Sequence, residues 1–289
     1  MEMRDDKWLF EISPKTNLLD LNLKEIWQYK DLLLLFVKRD VVTKYKQTIL
    51  GPLWYLIQPL FTSVIFTLIF NNIADISTNG IPPFLFNLGG ITAWNYFKDC
   101  LMETSDTFKK NEAIFGKVYF PRVIMPMSII VSNLIKFGIQ LFIFSCFYIY
   151  FVINGMQELP NVSLLYLPVL VISMGMLGLG LGMIISSMVT KYRDLTFLIT
   201  FGIQLLMYLS AVVYPVKLVK EELTDYPIAI AIIEYNPMTT VIENFRNIVF
   251  GNGTVIFSDI IYMISISFIL FLIGLAIFNK TEKSFIDTI

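Results

Sequence analysis

Residues 164–189 read LLYLPVLVISMGMLGLGLGMIISSMV, a run of 26 residues without one charged side chain. A helix needs about 20 mostly apolar residues to cross the hydrocarbon core of a membrane, and this run exceeds that length. The sequence therefore predicts an all-α integral membrane protein with six transmembrane helices. Five further apolar stretches lie at about residues 54–73, 83–103, 123–153, 195–214 and 255–278.

The composition of the whole chain agrees with this prediction. Of its 289 residues, 56% are hydrophobic and 16% are charged, whereas about a quarter of the residues in a soluble domain are charged. Histidine is absent, which excludes Ser-His-Asp and Cys-His triads, histidine metal clusters and histidine proton relays. Cys100 and Cys146 lie in apolar stretches, so we expect packed thiols rather than a disulfide and no metal site.

The distribution of basic residues predicts the orientation in the membrane. Cytoplasmic loops carry an excess of Lys and Arg. With the N-terminus in the cytoplasm, eighteen Lys and Arg residues fall on the inner side and three on the outer side, although the net charge is only −1. Both termini are therefore expected in the cytoplasm. We expect no cleavable signal peptide, because the first long apolar run starts only near residue 54, behind a charged segment.

The segments outside the spans predict three further features. Residues 1–53 form a cytoplasmic segment before the transmembrane domain of residues 54–289, and apolar and basic side chains interleave over residues 23–50. That pattern predicts an amphipathic helix in the inner interface, either a simple anchor or a collar that contacts a cytoplasmic partner. The cytoplasmic loop 104–122 mixes charges with aromatic residues, so it either docks against another protein or is a solvated hairpin. The outer loop 215–253 holds apolar pieces too short to span, which predicts re-entrant helices.

Lys98, Asp99 and Glu103 lie in the second half of the second predicted span, and Lys136 lies within the third. Ionisable groups at membrane depth are costly unless they are paired or hydrated, so they face a bundle interior or a wet path. Two interpretations stay open. The lysines snorkel to the inner headgroups, or Asp99 pairs with Lys136 or Lys98 across the inner half of a pore.

Several aromatic residues are too deep for an interfacial belt. Trp94 lies eleven residues after Pro83, about 16 Å along a helix, which is near the bilayer centre rather than at headgroup level. Aromatic faces stack on the C–H faces of sugars, so such rings are candidates to line a carbohydrate path, with helix packing as the alternative. The candidate channel-lining residues are Trp94, Tyr96, Phe97 and Tyr208.

The chain lacks the phosphate-binding motif of a nucleotide hydrolase. Its only Gly-Lys pair, Gly116-Lys117, is followed by Val118 and has Asn111 where the first glycine of the motif belongs. We therefore expect the chain to bind no cofactor and to be no enzyme. The spans also lack a clear inverted repeat, which gives little support to an ion-coupled transporter.

Five segments, in order along nearly the whole chain, resemble one transporter family. The chain resembles the membrane (permease) subunit of ATP-binding-cassette exporters for polysaccharides, which move lipid-linked O-antigen, capsule and teichoic acid chains. The matching segments are YKQTILGPLW (45–54), FGKVYFPR (115–122), KYRDL (191–195), VYP (213–215) and YNPM (235–238).

The resemblance implies a homodimer in the bacterial inner membrane with two copies of a separate ATPase subunit, on which ATP and Mg²⁺ bind. Lipid-linked polysaccharide, most simply O-antigen, would be the cargo, and nucleic acid would not be a partner. It also implies roles for three groups of residues. These are the ATPase-coupling residues Lys110, Glu112, Phe115, Gly116 and Lys117, the interfacial-helix residues Trp27, Lys38, Arg39 and Tyr45 beside them, and the outer-gate residues Tyr214, Pro215, Asn236 and Pro237.

Two other functions remain open from the sequence. A permease of the same architecture for a drug or a lipid would have a narrow apolar slot instead of a wide aromatic-lined channel. A membrane-embedded acyl or glycosyl transferase would need a constellation of Asp, Glu or His at a membrane face. The acids of the outer loop, Glu221, Glu222, Asp225 and Glu234, are instead typical of a solvated face.

Overall fold

The computed structural model describes residues 23–46, 49–115, 117–118, 120–192, 194–251 and 256–286, and all regular structure among them is helical. Short 3₁₀ turns at Gly51–Leu53 and Val162–Tyr166 lead into α3 and α7, and a π-helix over Thr67–Ile73 continues α3. The α-helices are α1 (Leu23–Gln28), α2 (Lys30–Tyr45), α3 (Trp54–Phe66), α4 (Pro83–Ser105), α5 (Thr107–Phe115), α6 (Ile124–Ile153), α7 (Leu167–Lys191), α8 (Leu195–Leu209), α9 (Val216–Glu222), α10 (Pro227–Glu234), α11 (Pro237–Phe250) and α12 (Phe257–Ile286).

Four helical segments in the described residues are long and apolar enough to cross a membrane, so the all-α membrane fold is confirmed. They are Gly51–Ile73, Ile124–Ile153, Val162–Lys191 and Phe257–Glu282, which match the first, third, fourth and sixth predicted spans. The other two predicted spans each lack one property. The helix at the second, α4, has 23 residues but is rich in polar ones, and the helix at the fifth, α8, is apolar but has only 15. Six spans therefore stay a prediction.

The polar helix α4 lies at the centre of the bundle. Sixteen of its 23 residues are buried, and it packs against α7, α6, α3 and α11. Most of its length is therefore surrounded by protein, which reduces the penalty that lipid would impose on its polar side chains. A span enclosed in this way does not need the apolar composition of a helix that faces lipid.

Glycines of α7 allow it to pack tightly between α4 and α12. A Cβ atom on Gly178 would lie 2.7 Å from the Cβ atom of Cys100 on α4. On the other side of α7, a Cβ atom on Gly180 would lie 2.6 Å from the carbonyl oxygen of Leu270 on α12. Small residues let helix backbones approach closely in membranes, so these glycines fix the spacing of the three helices.

A cluster of aromatic residues joins the ends of several helices on the side predicted to be cytoplasmic, and we call it the inner aromatic cluster. Phe108 of α5 stacks on Phe278 of α12 with 4.5 Å between ring centroids. Phe115, at the end of α5, lies 5.9 Å from Phe120, and Phe120 lies 5.8 Å from Phe36 of α2. The short helix α5 is thus anchored by its aromatic face, and α2 is attached to the same cluster.

The segment between α8 and α12, predicted to lie on the outer side, folds as three helices. They have 7, 8 and 14 residues, so none is long enough to cross a membrane. Ten of the 14 residues of α11 are buried, and this helix packs against α4, α7 and α12. In contrast, α10 exposes apolar side chains, with Ile228 76% and Ile232 55% accessible.

Candidate functional site

A groove runs along one side of the bundle between α3 and α8, with α4 as its floor. Its volume is about 340 Å³, and one side-chain amide from each of these helices lines it, from Gln58, Asn95 and Gln204. We call this feature the polar groove. Apolar side chains from the same helices complete the lining. Amides without partners are costly in hydrocarbon, so the positions of the three amides favour water, a polar cargo or a protein cover.

One cation lines the floor of the polar groove. The ammonium of Lys98 donates a hydrogen bond to Oδ1 of Asn95 at 3.2 Å, and its nitrogen lies 3.8 Å from Oδ1 of Asp99. The side chain of Lys98 remains 31% accessible. The groove therefore offers one partly neutralised positive charge among neutral polar groups.

The pairing predicted for the intramembrane charges is present. Lys136 of α6 donates a hydrogen bond to Oδ2 of Asp99, while Lys98 approaches the other oxygen of the same carboxylate. The ammonium of Lys136 also lies 4.8 Å from the ring centroid of Tyr55 on α3. Asp99 therefore bridges two lysines, and the pair ties α4 to α6. Whether this cluster borders a pore stays a prediction.

The four predicted channel-lining residues lie in two environments. Trp94 contributes to the floor of the polar groove but is only 2% accessible, and Tyr208 of α8 is 46% accessible. Tyr96 and Phe97 are 3% and 1% accessible, and the ring of Tyr96 lies 5.0 Å from that of Phe137. Sugar stacking stays a prediction for all four, and the burial of Tyr96 and Phe97 favours helix packing at those positions.

Two exposed aromatic residues were missed by the sequence reasoning. Phe197 is 82% accessible and Phe201 is 58% accessible. Both lie on α8, four residues apart, and Tyr208 follows seven residues after Phe201. These spacings place the three rings on one helix face. This face adjoins Gln204, which lines the polar groove. The helical spacing of aromatic residues in the fifth predicted span was the signal that could have identified it.

The predicted coupling residues lie on α5 and directly after its end, and they differ in burial. Lys110, Glu112 and Lys117 are exposed, and Lys110 pairs with Asp106 at 3.1 Å. Phe115 is only 5% accessible and belongs to the inner aromatic cluster. Its position makes it an anchor of α5 within this chain, while the charged residues form the face available to a partner. Gly116 lies outside the described residues.

The α5–α6 connection is tied to the end of α12. The guanidinium of Arg122 lies 5.0 Å from the ring centroid of Phe115, and its Nε lies 3.6 Å from Oε1 of Glu282. Burial lowers the pKa of Arg122, and the Glu282 carboxylate acts in the opposite direction. A displacement of α5 would therefore be transmitted to α12 as well as to α6.

The predicted interfacial residues lie on α1 and α2. Trp27 is 73% accessible and has the ammonium of Lys30 at 5.4 Å from its ring centroid. Lys38 is exposed. Arg39 lies 4.9 Å from the ring of Phe36. The side chain of Tyr45 is outside the described part of the chain. The location of these helices relative to a membrane stays a prediction.

The predicted outer-gate residues meet where α8 ends. The Asn236 side chain donates to the carbonyl of Leu209 at 3.2 Å and to the hydroxyl of Ser210 at 3.0 Å. Its Oδ1 accepts a bond from the backbone N–H of Met238 at 3.0 Å, so Asn236 is the N-cap of α11. Pro237 follows as the first residue of that helix, a position that suits its missing N–H.

Tyr214 and Pro215 form the connection from α8 to α9. The phenol of Tyr214 donates a hydrogen bond to the carbonyl of Tyr208, which folds this connection back onto the last turn of α8. Pro215 is the N-cap of α9. All four predicted gate residues thus lie at helix ends around the C-terminal end of α8, although a gating function at this junction stays a prediction.

Arg246 of α11, counted from the sequence only as an outer basic residue, clamps this connection. Its guanidinium donates to the carbonyls of Ala211 at 2.9 Å, Val212, and Tyr214 at 3.3 Å, and it lies 3.1 Å from Oε1 of Glu243. Burial lowers the pKa of Arg246 to about 10, with Glu243 acting in the opposite direction, so the group stays charged at neutral pH. No short motif identifies it, because its partners lie more than 30 residues away.

Known proteins match this chain along most of its length. The sequence profile of the ABC-2 type transporter family matches residues 31–250. A protein of Klebsiella pneumoniae named O-antigen export system permease protein RfbA is 28% identical over 259 residues, which cover 89% of this chain and 94% of that relative. A protein of Myxococcus xanthus with the same name is 22% identical over 269 residues, covering 92% and 98% of the two chains. The family match spans well over half of the residues, and the chain belongs to the ABC-2 type transporter family.

Proposed function

We propose that this chain is the permease subunit of an exporter that moves lipid-linked O-antigen across the bacterial inner membrane. The polar groove carries the proposal, because it lines a membrane bundle with amides and adjoins exposed aromatic rings. Such a surface suits a hydrated polymer of sugars better than a drug or a lipid. The relatives named O-antigen export system permeases, matched over nearly their whole lengths, support the choice of polymer.

The proposed topology has six spans with both termini in the cytoplasm. The 23 residues of α4 extend about 34 Å, enough to cross the hydrocarbon core, and their burial explains the polar composition. The 15 residues of α8 extend only about 22 Å. We propose that α8 is a short fifth span whose outer end is completed by the re-entrant α9–α11 segment. Residues 1–53 would lie on the inner face, with α1 and α2 in the interface.

The proposed assembly is a homodimer. Only 11% of the most apolar window of the first span is buried, and Phe61 on this span is 66% accessible. The polar groove is also open along one side. A second copy facing it would enclose two grooves in one channel and cover amides that lipid could not hydrate.

The proposed energy source is a pair of separate ATP-binding-cassette subunits. The exposed charges of Lys110 and Glu112 on α5, together with Lys117 two residues after its end, supply a docking face that is attached to the bundle through the buried Phe115. Closure of the ATPase dimer would push α5. Because α5 lies directly between α4 and α6 in the chain, this motion would reach the floor of the polar groove. The sugar chain would then slide outward over neutral polar groups and aromatic rings without forming a covalent bond to this chain.

Deletion of the gene and complementation test the proposal. We expect the deletion strain to lose long O-polysaccharide from its surface and to accumulate lipid-linked chains on the inner face. Complementation with this chain and its ATPase should restore export, whereas complementation with a catalytically inactive ATPase should not. Unchanged surface polysaccharide in the deletion strain would refute the proposal, and altered drug resistance alone would favour a drug permease.

A further inference from the structure

A second polar cavity lies in the outer segment, between α9, α10, α11 and the start of α12. Its volume is about 480 Å³, within the range of about 300–1,000 Å³ that is typical of ligand sites. We call it the outer cleft. We infer that the outer cleft is a carbohydrate-binding site that holds the segment of polysaccharide leaving the polar groove. This inference rests on the proposed function and deepens it.

The cleft wall carries the groups that recognise sugar hydroxyls. The carboxylates of Glu243 and Asp259 and the amides of Asn244 and Asn247 line it. Planar groups of this kind make paired hydrogen bonds with adjacent donors and acceptors, as vicinal hydroxyls of a sugar provide. Asp259 lies in the first turn of α12, where the positive end of the helix dipole attracts its carboxylate.

Two tyrosines provide the apolar surface that sugar recognition also needs. Tyr235 is 69% accessible and lines the cleft with Tyr262. The phenol of Tyr262 donates a hydrogen bond of 2.6 Å to the backbone carbonyl of Tyr235, which holds α12 against the α10–α11 connection. The ring of Tyr235 makes no contribution to that bond, so it is free to present a face to the C–H side of a sugar.

The rim of the outer cleft carries charges of both signs, and a weak ion pair joins two of its helices. Lys220 of α9 pairs with Glu234 of α10 at 2.7 Å, and their side chains are 50% and 44% accessible. A pair this exposed contributes about 0–1 kcal/mol, so it does not prevent the rim from opening. Lys217 also lines the cleft, and the mixture of both signs suits a neutral or weakly charged polymer.

A hydrogen bond places the rim of the outer cleft beside the end of α8. Asn236 directly follows Tyr235 in the chain and donates to the carbonyl of Leu209 at 3.2 Å. Leu209 is the last residue of α8, two positions after Met207, which lines the polar groove. A sugar chain that leaves the groove at the end of α8 therefore reaches the rim of the cleft next.

Cysteine protection tests the inference in the complete complex in lipid nanodiscs. Cys146→Ser removes the exposed thiol, and Cys100 stays because it is buried. Asn247→Cys then places a thiol in the cleft, and Glu222→Cys places a matched exposed thiol on α9 outside it. The probe is polysaccharide released by mild acid from the surface of the producing strain. At four times its Kd, we expect maleimide labelling of Asn247→Cys to slow about fivefold and that of Glu222→Cys to stay unchanged.

Substitutions at the aromatic rim give the second measurement. Tyr235→Ala should abolish the protection of Asn247→Cys, whereas Tyr235→Phe should keep it, because Phe retains the aromatic ring. Both variants preserve the backbone carbonyl that Tyr262 binds, so that contact is the same in each. Equal labelling with and without polysaccharide, or a cleft thiol that is already blocked by a second copy, would overturn the inference. Export by the unmutated complex is measured in parallel. If the unmutated complex exports no polysaccharide, the proposed function is refuted. If it exports polysaccharide but the thiol of Asn247→Cys is not protected, only the inference about the cleft is refuted.

Discussion

Replacement of Arg246 by methionine should loosen the connection between α8 and α9. Methionine keeps an unbranched apolar side chain of similar length, so the main loss is the charged clamp on the carbonyls of Ala211, Val212 and Tyr214. A buried acceptor left without its partner costs about 1–3 kcal/mol, and removal of one member of a buried charged network costs about 3–5 kcal/mol in total. We expect a loss of that total size, because the three carbonyls act as one unit and Glu243 can still reach water.

The assay is thermal unfolding of the purified permease, with an expected fall in Tm of about 10 °C for Arg246→Met. The matched control is Lys217→Met, which removes a pair with Glu221 at 3.8 Å between side chains that are 73% and 60% accessible. Such an exposed pair is worth at most about 1 kcal/mol, so the control should shift Tm by no more than about 3 °C. Equal shifts for the two variants would refute the clamp.

Three further predictions concern packing, charge pairing and coupling. Gly178→Leu should prevent folding or lower Tm strongly, because even its Cβ atom would lie 2.7 Å from the Cβ atom of Cys100. Gly138→Leu should be tolerated, because the space around Gly138 is open. Size-exclusion chromatography of both variants checks this prediction. Asp99→Lys and Lys136→Asp should each destabilise the protein by about 3–5 kcal/mol, and the double exchange should recover part of the loss in an unfolding titration. Lys117→Glu should weaken co-purification of the ATPase subunits and lower export while leaving Tm unchanged, because the side chain is exposed.

The sequence predicted the membrane character of the chain because long apolar runs depend only on composition. It also offered pairing of Asp99 with Lys136 or Lys98 as one of two interpretations, since a carboxylate at membrane depth has few alternatives to a nearby lysine. The central position of α4 was not predictable in the same way. Hydropathy depends only on the residues that a helix contains. It does not show that other helices surround α4, which is what allows this helix to be polar.

The orientation of side chains around each helix was the second limit. Depth along the helix identified Trp94 and Tyr96 as candidates, but rotation about the axis places Trp94 at the polar groove and Tyr96 against Phe137. The rotation of a helix about its axis depends on packing against distant parts of the chain. The spacing of residues within a single span does not show that packing. The same holds for Arg246, whose partners come from a segment distant in the chain.

Photo-crosslinking from the polar groove tests the central claim most directly. A benzophenone amino acid at Gln204 would report what passes between α3 and α8 during ATP-driven export by the whole complex. Phe142, which is 70% accessible on α6 and lies outside the groove, is the control position. We predict covalent polysaccharide adducts at Gln204 that require active ATPase, and only lipid adducts at Phe142. Lipid adducts alone at both positions, while export proceeds, would contradict the assignment of the groove as the polysaccharide path.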